Sequence, residues 1–198
     1  TAWLALPREV LERDDLYRLL ALRTAQDFDA GEKAARALRD EARRTGRRGL
    51  EAESEYWLGV MLYLRGEMLP AREPLRQAEL LAEAAGDDRL RGRALVTQAF
   101  VEAVAAANYD GAHALLDRAQ AVFERVEPGV ADQELLYVRG TVFQKEKRLA
   151  EAEAAFLQAT PPDGERIPDW VQVTRARARV RLWGHHCAEP AALFEAVV

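Results

Sequence analysis

Gly31, Ala71, Ala112, Ala152 and Ala192 recur along the chain at intervals of 40, 41, 40 and 40 residues. Three of them begin the same triplet: Ala71, Leu75, Ala78; Ala112, Leu116, Ala119; Ala152, Phe156, Ala159. Steps of four and three place each triplet on one face of a helix. Twelve residues before Ala71 and Ala152 stand Gly59 and Gly140, inside the helical runs "EAESEYWLGVMLYL" and "ADQELLYVRGTVF". A glycine inside a helix costs about 1 kcal/mol relative to alanine. Two of them at matched positions imply that a second helix passes close by. The small residues let paired helices approach, and the one large residue of each triplet fills the gap between them.

Each unit is long enough for two helices. The first ends at a short break: "RGE" at 65–67, "ANYD" at 107–110, "KEKR" at 145–148. The second ends at a stronger one: "TGRRG" at 45–49, "AGDD" at 85–88, "EPG" at 127–129, "PPDG" at 161–164. Glycine after a helix supplies a left-handed cap, and proline cannot continue the run. A single helical hairpin cannot bury its own apolar face, so neighbours must stack to cover it. The expected fold is all-α, an α-solenoid of about five antiparallel helix pairs at roughly 7–45, 50–85, 90–126, 131–160 and 167–198. They should form one domain over residues 1–198 and stack into a right-handed superhelix. The chain begins at Thr1 and not at methionine, so it is expected to be a piece of a longer protein.

The Gly-x11-Ala-x3-large-x2-Ala spacing resembles the tetratricopeptide repeat (TPR). Gly59, Ala71, Leu75 and Ala78 match it, as do Gly140, Ala152, Phe156 and Ala159. The third unit departs from it, with Phe100 at the glycine position, and the first retains only Gly31 and Ala35. The period exceeds the usual repeat of about 34 residues, so each helix pair should be about a turn longer. That longer form is similar to the repeats of MalT-type activators, the large ATP-binding transcription regulators of the LuxR family. The opening "WLALPREVL", Trp3 to Leu11, looks like the entry that precedes those repeats. This resemblance implies a bacterial regulator whose ATPase and DNA-binding domains lie elsewhere, with the repeats serving as sensor or scaffold.

In tetratricopeptide stacks the first helix of each pair lines the concave surface. Carried over by position, three rows result: Leu16, Tyr56, Thr97, Tyr137, Arg177; Leu20, Val60, Val101, Thr141, Arg181; and Arg23, Tyr63, Val104, Gln144, Gly184. The candidate partner-binding residues among them are Tyr56, Val60, Tyr63, Thr97, Val101, Tyr137, Thr141, Gln144, Arg177 and Arg181. Tyrosine offers a large apolar body with a polar tip, which suits recognition. The same tyrosines could instead pack between adjacent helices. Arg177 and Arg181 share a helical face in "TRARARVRLW", where paired guanidinium groups could hold a carboxylate or phosphate. The plainer reading is a solvated face. "EARRTGRRG", Glu41 to Gly49, reads first as a solvated loop between repeats, and secondly as a contact for DNA or an acidic partner.

Against 28 Lys and Arg the chain has 33 Asp and Glu, a net charge of −5. That argues against a general nucleic-acid surface. The single cysteine, Cys187, suits a reducing compartment, so a cytoplasmic location is expected. No apolar run reaches the roughly 20 residues of a membrane span. "HHC", His185 to Cys187, lacks the four spaced ligands of a structural zinc site, so no metal is expected. No phosphate-binding glycine loop, HExxH or GxSxG appears. The expectation is a non-catalytic module without cofactor that binds a protein, a peptide or a small inducer. The alternative is a constitutive scaffold that self-associates through its apolar end, "AALFEAVV".

Overall fold

The structure, a computed structural model, describes residues 8–129 and 132–159, with side chains from Asp15 onward. These residues form eight helices and no strand. They are α1 (Arg8–Thr24), α2 (Phe28–Arg44), α3 (Arg48–Leu64), α4 (Met68–Ala85), α5 (Asp88–Ala105), α6 (Tyr109–Val126), α7 (Gln133–Lys145) and α8 (Leu149–Gln158). They match four of the five expected pairs. The fifth pair, 167–198, and the start of the entry segment at Trp3 lie outside the described residues. Packing divides the chain into two compact units, Thr1–Thr97 and Gln98–Val198, with the division inside α5.

In the first unit α3 is the central element, packed on both α2 and α4. It is buried nearly all round, from Leu50 to Leu62, as a helix with neighbours on two sides must be. The others bury only a stripe: Gly31, Ala35, Leu38 and Ala42 on α2, and Ala71, Leu75, Ala78 and Ala82 on α4. A Cβ added to Gly59 would lie 2.5 Å from Leu75 Cγ, so α3 and α4 touch where the repeat pattern places its glycine. Gly31 does the same toward the following hairpin: its added Cβ would meet Met61 Sδ at 2.6 Å.

The second unit repeats this arrangement. Ala112, Leu116 and Ala119 of α6 are fully buried, as are Ala152 and Phe156 of α8. A Cβ on Gly140 of α7 would lie 2.6 Å from Phe156 Cε1. His113 of α6 bonds Glu146, the residue that caps α7, at 2.9 Å and lies against the Phe143 ring at 4.9 Å.

Most connections are three residues or fewer, and each turns on a left-handed residue. Gly46, Gly66, Gly86 and Gly129 hold φ between 68° and 93°. In three other connections the same conformation falls on Gln26, Ala107 and Lys147, with φ of 58°, 51° and 65°. A side chain in that conformation costs about 1–2 kcal/mol. Glycine would avoid that cost while adding entropy to the unfolded chain. Ala107→Gly and Lys147→Gly are therefore each expected to stabilise by about 0.5–1 kcal/mol, read as a rise in the urea midpoint. Asp27, Asp87, Asn108 and Asp132 cap the helices that follow them, each accepting a backbone N–H at 2.8–3.1 Å.

The arginines of "EARRTGRRG" are largely engaged in ion pairs. Arg43 of α2 reaches across to Glu51 at 2.6 Å and Glu55 at 2.7 Å on α3. Arg44 pairs with Glu41, and Arg47 lies 3.7 Å from the same carboxylate. Arg65 closes the other end of α3 onto Asp29 and Glu32 of α2. The pairs of Arg43 and Arg65 join α2 to α3 at opposite ends of α3.

Candidate binding surfaces

The rows expected to face a groove run along α3, α5 and α7. In the first unit Tyr56, Val60 and Thr97 are buried, and Tyr63 is half-buried. The Tyr56 ring meets Trp57 edge-on at 5.9 Å and carries the Arg93 guanidinium 4.5 Å above its centre. Glu53, one turn earlier on α3, has its pKa pushed up by burial, partly offset by the charge of Arg93. In the second unit Val101, Thr141 and Gln144 are buried, while Tyr137 is half-buried and lies 5.8 Å from the Phe156 ring. Thr97 and Thr141 each donate their hydroxyl to the carbonyl four residues back, Arg93 and Tyr137 respectively, at 3.0 Å. Those hydroxyls are thus already used. Gln144 differs: its Nε2 is buried and meets no hydrogen-bond acceptor among the described residues. Of the ten candidates, Tyr63 and Tyr137 retain exposure and Gln144 retains hydrogen-bonding capacity. Arg177, Arg181 and the "HHC" cluster lie outside the described residues.

The sequence reading missed a second kind of surface. A groove of about 490 Å³ in the first unit runs between α2 and α4 over α3. Another of about 490 Å³ runs between α6 and α8 over α7. They are the same groove, two repeats apart. Arg43 corresponds to Glu124, Glu55 to Leu136, Leu58 to Arg139, Leu62 to Phe143 and Pro74 to Ala155, each pair separated by 81 residues.

Their chemistry differs. In the first groove the charges satisfy one another: Arg36 bonds Glu32, Arg43 bonds Glu55, and Arg76 bonds Glu73. Burial raises the pKa of Glu55, and the charges of Arg39 and Arg43 pull it back only in part. Burial also pushes Glu32 up, but there the Arg36 hydrogen bond and the Arg65 charge win, and its pKa falls. Arg65 itself is raised, chiefly by its bonds to Glu67 and Asp29. The second groove has a largely apolar floor and carboxylates at its edge.

Among the described residues no group of three or more His, Cys, Asp and Glu is placed to hold a metal ion. No helix among them is long and apolar enough to cross a membrane.

No family model matches the chain, and no curated protein matches it in sequence. Solved structures do. A kinesin light chain-type protein of Podosopora anserina with nearly identical TPR-like repeats is 14% identical, with a TM-score of 0.64 over 93% of this chain and 92% of that one. A single-substitution variant of that protein gives 0.67 at 14% identity, over 97% and 95%. BtubC (BKLC) from P. vanneervenii gives 0.65 at 15% identity, over 90% of this chain and 72% of that one. Identities this low speak to fold and not to activity. Paired helices meeting at Gly59 and Gly140, together with these likenesses, establish that the chain has a TPR-like helical repeat fold.

Proposed function

We propose that the chain is a non-catalytic module that binds a protein or peptide on the faces formed by the first helices of its repeats. The contacts are Tyr63 in the first unit and Tyr137 in the second, with Gln144 buried. The observation that carries this reading is the pair of half-buried tyrosines, Tyr63 and Tyr137, each on the first helix of a repeat in a TPR-like fold. Gln144 stands 81 residues after Tyr63, at the same place in the repeat. Tyr56, Val60, Thr97, Val101 and Thr141 then serve as the packed floor that holds the contacts in place.

The similarity of Trp3 to Leu11 to MalT-type proteins supports a role within a bacterial transcription regulator. There the module would act as a cytoplasmic sensor whose protein partner or small inducer favours one packing of the array, by no more than its differential affinity for the two states. The alternative is a scaffold that self-associates through residues 191–198. Affinity capture with the full-length protein, followed by mass spectrometry, tests the binding face. A partner recovered by wild type should be lost with Tyr63→Ala and with Tyr137→Ala and retained by Tyr137→Phe, in variants whose circular dichroism shows them folded at the temperature of capture. Equal recovery by all variants would sink the face. Sedimentation of the isolated chain distinguishes the scaffold, which must show concentration-dependent mass.

A further inference from the structure

The groove over α7 carries charges that the described residues do not neutralise. Its floor is Phe123, Leu135, Leu136, Phe143, Ala154 and Ala155. Glu124, Asp132 and Glu151 line its edges, with Arg139 as the lone cation among the described residues of the lining. Arg139 gives its charge to Asp117 at 3.0 Å and bonds Gln120 at 3.1 Å. Arg148 neutralises Glu151 from outside the groove. Among the described residues, Glu124 and Asp132 accept only backbone N–H groups, from Gly129 at 3.1 Å and from Leu135 at 2.8 Å. Two carboxylates therefore stand beside an apolar trough with no cation among those residues to answer them. At the equivalent place in the first unit, Arg43 stands where Glu124 does, and it is fully paired. The contrast marks the second groove as the open one.

From this geometry we propose that the α6–α7–α8 groove docks a basic amphipathic peptide segment of a partner protein. The segment's apolar side chains enter the trough over Leu136 and Ala155, and its lysines or arginines meet Glu124 and Asp132. Opposed charges set orientation and speed encounter, while the apolar floor holds the bound segment.

Fluorescence anisotropy on the full chain tests the proposal, with a short labelled peptide of leucine and lysine in helical alternation and its leucine–glutamate counterpart as probes. The lysine peptide is expected to bind and the glutamate peptide not to. Glu124→Gln with Asp132→Asn keeps the acceptors, since asparagine also caps a helix, and should weaken binding about tenfold or more. Ala154→Arg, at an exposed position on α8, should weaken it at least as much. Glu73→Gln in the first groove should leave it unchanged, which separates docking from attraction to a generally acidic protein. Equal binding by all variants, or preference for the glutamate peptide, would overturn the proposal. So would a concentration-dependent dimer that Ala154→Arg dissolves, since the groove would then belong to a second copy of the chain.

Discussion

Phe156→Ala is expected to destabilise the second unit by about 3–5 kcal/mol. Phe156 is fully buried, and its ring fills the space left by the missing side chain of Gly140 while touching the ring of Tyr137. Truncation removes its transfer energy and opens a cavity bounded by two helices. Phe156→Leu should cost only about 1 kcal/mol, because Leu75 fills the same place against Gly59 in the first unit. A repeat array need not unfold as one body, so the measurement is native-state hydrogen exchange resolved by helix. Amides of α7 and α8 should lose protection in Phe156→Ala while those of α3 and α4 keep theirs. Equal losses in both units would mean that the chain folds as a single cooperative block. A loss below about 1 kcal/mol would mean that Phe156 is not the wedge between α7 and α8.

The pairing of helices was legible in the sequence because close approach leaves a mark that composition cannot imitate: glycine where helix propensity opposes it. Gly59, Gly140 and the triplets after them gave the contact face directly. The break between α1 and α2 left no such mark. Its left-handed residue is Gln26, and neither Ala25 nor Gln26 carries turn chemistry. Spacing alone could have found it, since Gln26 lies 20 residues before Gly46, which lies 20 before Gly66. The first-helix rows were assigned by register, which fixes direction but not depth, and so Tyr56 and Val60 prove to be packed. The second groove was hidden because Glu124, Asp132 and Glu151 come from three different segments. Comparing residues 81 apart, Arg43 with Glu124 and Glu55 with Leu136, is the signal that would have exposed it.

Gly59→Ala sets two effects against each other, and the sign of the result decides which controls this fold. Helix propensity favours alanine by about 1 kcal/mol. Packing opposes it: the new Cβ would lie 2.5 Å from Leu75 Cγ and 2.7 Å from Leu75 Cδ2, and 3.4 Å from the backbone oxygen of Ala71. Leu75 is fully buried and cannot swing away, and the Ala71 backbone cannot move without shifting all of α4. Overpacking of this kind costs about 1–3 kcal/mol, so Gly59→Ala should destabilise by about 1–2 kcal/mol. Leu75→Ala alone should cost about 2–5 kcal/mol. With Leu75 removed, the clash disappears and only propensity remains. Gly59→Ala in that background should then stabilise by about 1 kcal/mol. Native-state hydrogen exchange of the α3 and α4 amides in the four proteins gives the coupling directly. A reversal of sign, with a coupling of about 2–3 kcal/mol, assigns the glycine to helix–helix contact. Additive effects would mean that the glycine serves no such contact, and the 40-residue pattern would lose its physical cause.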